Sequence, residues 1–209
     1  MLALTPQGVL PPYTGTTGTG VPNGFSPHIF TPEEFVTLFG TTGNRKLILK
    51  GFFQYRKELR AFGVVGSQWI GGSFIEDCQK LRGREPNDID VVTLVDDASV
   101  PQPGHPKHTE FRTFISTPHR HVLKTKYRCD AFLMKTAIVN PAGGPGSVVA
   151  TTSDVTYWCN LFGHSRSIGG AQPLWKGMAE IPLLTDLDDQ RAVNLLRKKP
   201  KKKKKGGVL

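Results

Sequence analysis

Apolar residues along the chain follow two different spacings, one typical of helices and one typical of strands. A helical pattern predicts a first helix capped by Thr31, with Pro32 in its first turn, that ends near Gly40. A second, longer helix is predicted from residues 43–44 to about Phe62. Its solvated side is expected to carry four basic residues, Lys46, Arg56, Lys57 and Arg60.

Short apolar runs further along the chain predict strands, and the segments between them predict more helices. Strands are expected at residues 69–70, 88–95, 127–134 and 175–181. Helices are expected at residues 108–126, interrupted at Pro118, at 153–162 and at 186–196. This order of elements predicts an α+β fold, with a small mixed β-sheet and flanking helices.

The two ends of the chain differ in composition from the middle. Residues 1–30 contain many Gly, Pro and Thr residues and predict an extended N-terminal arm, whereas residues 31–196 predict a single domain. Residues 197–209 are predicted to form a disordered basic tail. Eight of the nine residues from Arg197 to Lys205 are basic, so the rest of the chain keeps only +2 of the net charge of +10.

Three further features of the sequence bear on partners and location. The basic tail is suited to binding RNA, DNA or another polyanion, or to acting as a nuclear address in a cell that has a nucleus, and the alternative is a solvated terminus that binds polyanions only weakly. No apolar run approaches 18 residues, so we expect no membrane partner, no secretion signal and a cytoplasmic protein. The three widely spaced cysteines, Cys78, Cys129 and Cys159, predict reduced thiols.

The strongest candidate chemistry lies in the acidic strand at residues 88–95. Asp88 and Asp90 interrupt an apolar run and, being two residues apart, are predicted to share one face at a spacing of about 6.6 Å. Burying two carboxylates this close is costly unless a cation lies between them. Oxygen ligands of this kind favour Mg²⁺ or Mn²⁺ over zinc.

A glycine turn upstream and a third carboxylate downstream extend this candidate site. Glycine lets the backbone approach a phosphate closely at Gly72, and the Ser73 hydroxyl and nearby amides are suitable donors. Asp130 lies in the next predicted strand, about 4.8 Å away if the two strands are neighbours, where it would complete a metal-binding face. Arg166 and Lys176 are candidate phosphate clamps, and a surface salt bridge is the alternative for each.

The arrangement of Gly72-Ser73, Asp88-Ile89-Asp90 and a separate Asp130 resembles the signature of the DNA polymerase β superfamily of nucleotidyltransferases. The core of this resemblance covers residues 64–135. A looser resemblance, from Leu10 to Gly177, is to a group of small, uncharacterised bacterial nucleotidyltransferase-like proteins.

The resemblance implies a fold like the polymerase β palm and a two-metal transfer reaction. Asp88, Asp90 and Asp130 would hold two Mg²⁺ or Mn²⁺ ions, and Gly72 with Ser73 would hold the phosphates of a nucleoside triphosphate (NTP). A nucleoside monophosphate would pass to an acceptor, with release of pyrophosphate. The acceptor stays open among RNA, protein and small molecules. One departure from the pattern is the long spacer between Ser73 and Asp88, which predicts an extra loop whose basic residues would reach the triphosphate, namely Lys80, Arg82 and Arg84.

Other classes of function also fit parts of the sequence. A catalytically weak nucleotide-binding or antitoxin-like module would keep the same fold and metal site. A nucleic-acid-binding protein would act mainly through the basic tail. A zinc protein would recruit residues whose spacing matches no standard finger, namely His105, His108, His119, His121 and Cys129.

Overall fold

The computed structural model describes residues 2–14, 24–135, 145–166 and 172–197, with the side chains of residues 97 and 145–151 left out. Five strands alternate irregularly with seven α-helices in this part of the chain. The strands are β1 His28–Ile29, β2 Gly66–Gly71, β3 Ile89–Val95, β4 Cys129–Lys135 and β5 Ala179–Leu183. The helices are α1 Pro32–Phe39, α2 Gly43–Ala61, α3 Cys78–Arg82, α4 His108–Phe114, α5 Thr117–Tyr127, α6 Pro145–Phe162 and α7 Asp186–Arg197.

The strands form one mixed sheet in the order β1-β5-β2-β3-β4. β2 runs antiparallel to both of its neighbours, β3 and β5. β3 pairs with β4 in parallel, and β1 pairs with β5 in parallel. The α+β class and the mixed sheet predicted from the sequence are therefore confirmed.

The first two helices follow from local signals and from burial of their apolar faces. The Thr31 hydroxyl accepts from the Glu34 amide, while the Glu34 carboxylate accepts from the Thr31 amide, so both ends of a capping box are present. α2 buries Ile48, Leu49 and Phe52 against the sheet side of the core. Both helices lie within a residue or two of their predicted bounds.

The predicted solvated side of α2 is wrong for two of the four basic residues assigned to it, Arg56 and Arg60. The Arg60 side chain is 13% exposed and pairs with Asp186 and Asp189. Arg56 does not lie on the solvated side either, because its side chain is fully buried. Its guanidinium donates to the Asp189 carboxylate, the Gln68 side chain and the Pro182 carbonyl, each at 2.8 Å. A buried guanidinium is tolerated when its donors are satisfied in this way. Arg56 therefore joins α2 to β2, β5 and α7.

Three later elements differ from their predicted bounds. α6 begins at Pro145, eight residues before the predicted start at 153. β5 begins at Ala179, so most of the predicted strand at 175–181 lies ahead of it. The predicted helix over 108–126 is two helices that break at residues 115–116, which places Pro118 in the first turn of α5, where proline is tolerated.

The described part of the N-terminal arm packs on the domain. Leu10 is fully buried, and the Gly8 carbonyl accepts from the Asp77 amide at 2.7 Å. The basic tail beyond Arg197 lies outside the described residues, and the domain boundaries stay a prediction. Across the described ranges no helix has the length and apolar character needed to span a membrane. All three cysteines are free thiols, as predicted.

Candidate active site

The register between β3 and β4 brings the acidic residues together. Asp90 on β3 is the direct cross-strand partner of Asp130 on β4, and Asp88 immediately precedes β3. In a parallel pair, partner residues point to the same face of the sheet. All three carboxylates line one cleft together with Gly72 and Ser73. The structure thus brings together the five residues that carry the resemblance.

The glycine turn contacts the acidic strand closely. Gly71 pairs with Asp90 at the end of the β2–β3 ladder, and Gly72 follows with a φ of 66° at the start of a short 3₁₀ helix, Gly72–Ile75. A Cβ atom placed on Gly72 would lie only 1.8 Å from Oδ2 of Asp90. Glycine is therefore required here for two reasons, the left-handed backbone and the space taken by the carboxylate.

A buried ion-pair network stabilises the glycine turn. Lys176 is almost fully buried, and its ammonium donates to the Gly72 carbonyl at 2.7 Å and to Oε1 of Glu76 at 2.5 Å. Oε2 of Glu76 accepts from the Arg82 guanidinium at 2.8 Å. Arg45 donates to the backbone carbonyls of Phe74 and Glu76. These contacts fix the turn without using the face that points to Asp90.

This network engages the ammonium of Lys176, which the sequence predicts as a phosphate ligand. Lys176 lines the cleft as the sequence predicts, yet its ammonium is engaged by Glu76 and the Gly72 carbonyl. Burial lowers the pKa of Lys176, and the neighbouring Glu76 carboxylate opposes that shift. Contact with a bound phosphate would therefore have to compete with Glu76. A role for Lys176 in positioning the glycine turn needs no such rearrangement.

Two basic residues of α5 contact the carboxylates directly. Lys124 Nζ lies 2.5 Å from Oδ2 of Asp88 and 3.1 Å from Oδ2 of Asp130. Arg120 Nε lies 2.5 Å from Oδ1 of Asp130. The Arg120 guanidinium also lies 4.0 Å above the centre of the Phe132 ring. These contacts give Asp88 and Asp130 cationic partners from within the chain.

Asp90 differs from its two neighbours. Within the described residues, neither an ion pair nor a hydrogen bond reaches its carboxylate. Burial, reinforced by the negative charges of Asp88 and Asp130, raises the pKa of Asp90 to about 6. The carboxylate beside the glycine turn is therefore the one whose charge is least compensated.

The pKa values of Asp130 and Lys124 follow from their pairing. Burial alone would raise the pKa of Asp130, but hydrogen bonds from Arg120 and Lys124 outweigh burial and lower it. Burial would lower the pKa of Lys124, but hydrogen bonds to Asp88 and Asp130 outweigh burial and raise it. Both groups are charged near neutral pH, so their contact is an ion pair.

One aromatic residue, Phe162, and several basic residues also line the cleft. Trp158 of α6 packs between Phe132 and Phe162, with ring centres 4.7 and 5.2 Å apart. Phe162 lies so close to Gly71 that a Cβ there would come within 2.1 Å of its ring. Further lining residues of the cleft, three of them basic, are Arg82, Arg84, Arg166 and His164. Of the three basic residues of the long spacer, Arg82 and Arg84 thus line the cleft, whereas Lys80 donates to the Pro6 carbonyl instead. Their contact with a triphosphate stays a prediction.

The donor set fits a hard divalent cation in kind. Carboxylate oxygens are the ligands that Mg²⁺ and Mn²⁺ prefer, and the uncompensated charge of Asp90 favours a cation beside it. In the arrangement described, no group of three or more His, Cys, Asp or Glu side chains in these residues surrounds a common point. The Lys124 ammonium lies between Asp88 and Asp130, which accounts for this geometry.

Comparison with known proteins identifies a family without an assigned activity. The family of unknown function DUF6932 matches residues 2–182. The chain belongs to this family. No curated protein and no solved structure shows detectable similarity to it. For this DUF6932 member, the chemistry of the cleft is therefore the main guide to function.

Sequence reasoning missed several residues of the site. The most informative are Lys124, Arg120 and Glu76, and Asn87 and His164 also line the cleft. The spacing of Arg120 and Lys124 was a usable signal, because residues four apart on a helix lie on the same face. The helix directly precedes the strand that carries Asp130, so a contact between these two cations and that carboxylate could have been predicted.

Proposed function

We propose that this protein is a metal-dependent nucleotidyltransferase that transfers a nucleoside monophosphate from an NTP to an acceptor and releases pyrophosphate. The observation that carries the proposal is the pairing of Asp90 with Asp130 beside Asp88, with the Gly72 turn against the Asp90 carboxylate. Carboxylates and a phosphate-accepting turn in one cleft form the combination that phosphoryl transfer requires.

The size and charge of the cleft support a phosphate-bearing substrate. Its volume of about 280 Å³ is near the lower limit of typical ligand sites. That space suits a phosphate chain, with the nucleoside extending out of the cleft beside Phe162. Arg84 and Arg166 supply positive charge in the lining of the cleft, whereas the Arg82 guanidinium is engaged by Glu76. Guanidinium groups bind phosphate oxygens through paired hydrogen bonds.

Each residue of the site has a role in the proposed reaction. The carboxylates of Asp88 and Asp90, with Asp130, would hold Mg²⁺ or Mn²⁺. Such an ion, when bound, neutralises the phosphates and lowers the pKa of an oxygen nucleophile. Ser73 and the turn after Gly72 orient the phosphate chain. Arg84 and Arg166 stabilise the charge that builds up on the leaving pyrophosphate.

The proposed transfer step exchanges one phosphorus–oxygen bond for another. An acceptor oxygen forms a bond to the α-phosphorus, and the bond from that phosphorus to the bridging oxygen of pyrophosphate breaks. The acceptor hydroxyl gives up its proton to a carboxylate of the acidic cluster, either directly or through water. Most of the rate enhancement would come from alignment and charge neutralisation.

The decisive experiment is a transfer assay with labelled nucleotides. The full chain is incubated with each α-³²P-labelled NTP, Mg²⁺ or Mn²⁺, and separate RNA, protein and small-molecule acceptors. Label transfer by the wild type and by Asp154→Ala, an exposed acidic control, but not by the double variant Asp88→Ala with Asp90→Ala, supports the proposal. Equal transfer by the double variant contradicts it.

A catalytically weak nucleotide-binding module is the second candidate. The observation that favours it is the Lys124 ammonium between Asp88 and Asp130, where a metal ligand set would otherwise form. Nucleotide binding at micromolar concentration, without label transfer to any acceptor, would support this candidate. Measurable turnover that depends on the aspartates would exclude it.

A further inference from the structure

The two cations of α5 contact the acidic cluster from partly exposed positions, with 40% of the Arg120 side chain and 44% of the Lys124 side chain exposed. Arg120 and Lys124 are four residues apart, so they project from the same face of the helix toward the acidic cluster. Arg120 is held over the Phe132 ring, which itself packs against Trp158. α5 ends at Tyr127, and Arg128 takes a left-handed conformation, with a φ of 54°, directly before β4. This short connection fixes α5 relative to Asp130.

The contacts of these cations divide the carboxylates into two groups. Both oxygens of Asp130 accept from α5, Oδ1 from Arg120 and Oδ2 from Lys124. One oxygen of Asp88, Oδ2, contacts Lys124. Asp90 has no such partner among the described residues. Among the described residues, the oxygens left without such a contact are therefore those of Asp90 and Oδ1 of Asp88. Oδ2 of Asp90 lies directly beside the glycine turn.

A divalent ion could bind beside Asp90 without breaking the ion pairs that Lys124 and Arg120 make with Asp88 and Asp130. Mg²⁺ and Mn²⁺ are often held by one or two carboxylates, with water and phosphate oxygens completing the shell. A second ion at Asp130 would have to displace Lys124, and it would meet the charge of Arg120 as well. Bringing like charges this close is costly in a partly buried site.

We propose that this site takes a single divalent ion, held by Asp90 with Asp88, and that the Lys124 ammonium occupies the position of a second ion. The inference rests on the proposed function for the identity of the ion as Mg²⁺ or Mn²⁺. It assigns Lys124 a positioning role, because its charge holds Asp88 and Asp130 together. The proposed transfer reaction then uses one ion and one fixed ammonium.

The test is the number of Mn²⁺ ions bound per chain, counted by electron paramagnetic resonance with Mn²⁺ alone at pH 7.5. We expect one ion in the wild type and none at this site in Asp90→Asn. Lys124→Met is expected to bind two, because it frees the oxygens between Asp88 and Asp130. Lys126→Met, the matched control on the same helix, is expected to bind one.

Further variants of Lys124, which either keep or remove its charge, distinguish an effect of that charge from a folding defect. Lys124→Arg keeps the charge and is expected to bind one ion, whereas Lys124→Gln is expected to bind two, as Lys124→Met does. Circular dichroism identifies which variants are folded. Two ions in the wild type, or one ion in folded Lys124→Gln and Lys124→Met, would overturn the inference.

The same measurements separate this inference from the proposed function. Two Mn²⁺ ions in the wild type together with label transfer would overturn the single-ion site and leave the transferase proposal in place. One ion in the wild type and two in Lys124→Gln, without transfer from any NTP, would support the inference and count against the transferase. No Mn²⁺ in the wild type would overturn the single-ion site, whatever the variants bind.

Discussion

Gly72 and Asp90 are so close that a single methyl group on the glycine would lie 1.8 Å from the carboxylate oxygen. We predict that Gly72→Ala destabilises the protein by about 2 kcal/mol or more, through the left-handed backbone and the clash, and reduces NTP transfer at least about 100-fold by misplacing the turn. Urea unfolding and the transfer assay measure the two effects.

The matched control for this variant is Gly83→Ala. Gly83 has nearly the same backbone conformation, with a φ of 64°, but no atom lies within 4 Å of an added Cβ. It should show the backbone cost of about 1 kcal/mol and keep its transfer activity. Equal loss of activity in the two variants would contradict the importance of the Gly72–Asp90 contact.

Asp90 is expected to make the metal-free protein less stable at neutral pH. Its pKa, raised to about 6 from a usual value of 3.8, means that the folded state holds the proton more tightly than the unfolded state. The free energy of unfolding therefore falls as the pH rises from about 4 to 6, and the penalty of about 2 to 3 kcal/mol is complete above pH 6.

Asp90→Asn should remove this penalty. We expect the variant to be more stable than the wild type at pH 7.5 in EDTA, with the difference shrinking toward pH 4. Thermal unfolding across that pH range measures it, and Asp154→Asn is the exposed control. Excess Mg²⁺ should stabilise the wild type more than Asp90→Asn. A pH-independent difference between the two proteins would argue against the raised pKa.

Removing one partner of the buried Glu76–Lys176 pair should be costly. Lys176→Met leaves the Glu76 carboxylate with Arg82 as its remaining side-chain partner, and we expect a loss of about 3 kcal/mol in the free energy of unfolding. Asp186→Asn, which breaks the more exposed pair with Arg60, should cost under about 1 kcal/mol. Similar losses in both variants, measured by urea unfolding, would contradict this ranking.

Arg166 should contribute to NTP binding through its charge. We predict that Arg166→Ala raises the KM for NTP about tenfold, in keeping with one charge-assisted hydrogen bond. The KM should also depend less on salt than that of the wild type. Arg191→Ala, an exposed arginine of α7 outside the cleft, is the control and should leave KM unchanged.

The elements set by local signals were the ones predicted well from the sequence. The Thr31 cap, the apolar face of α2 and the strand carrying Asp90 are each encoded within a few neighbouring residues. The acidic cluster was predictable for a similar reason, since two aspartates in an apolar strand have few structural explanations. Its cross-strand contact with Asp130 then required only that the two strands be neighbours.

The residues that were predicted poorly depend on partners distant in the chain. Arg56 resembles any basic residue on a helix, and its burial depends on Asp189, which is 133 residues away. Lys124 also resembles a surface lysine until α5 is placed beside β3 and β4. Charge alone does not distinguish a solvated side chain from one paired inside the fold, because the pairing arises from tertiary structure.

The Glu76–Lys176 contact also bears on when the site forms. The two residues are 100 positions apart, and Leu10 accepts a backbone hydrogen bond from Gly177, directly after the lysine. A chain emerging from the ribosome would contain Gly72 and the three aspartates long before Lys176 is available. Contacts of such long range form late in folding. A nascent chain would therefore carry the complete acidic cluster while the Gly72 turn still lacked its contact with Lys176, and the proposed nucleotide site would be complete only after Lys176 had been synthesised.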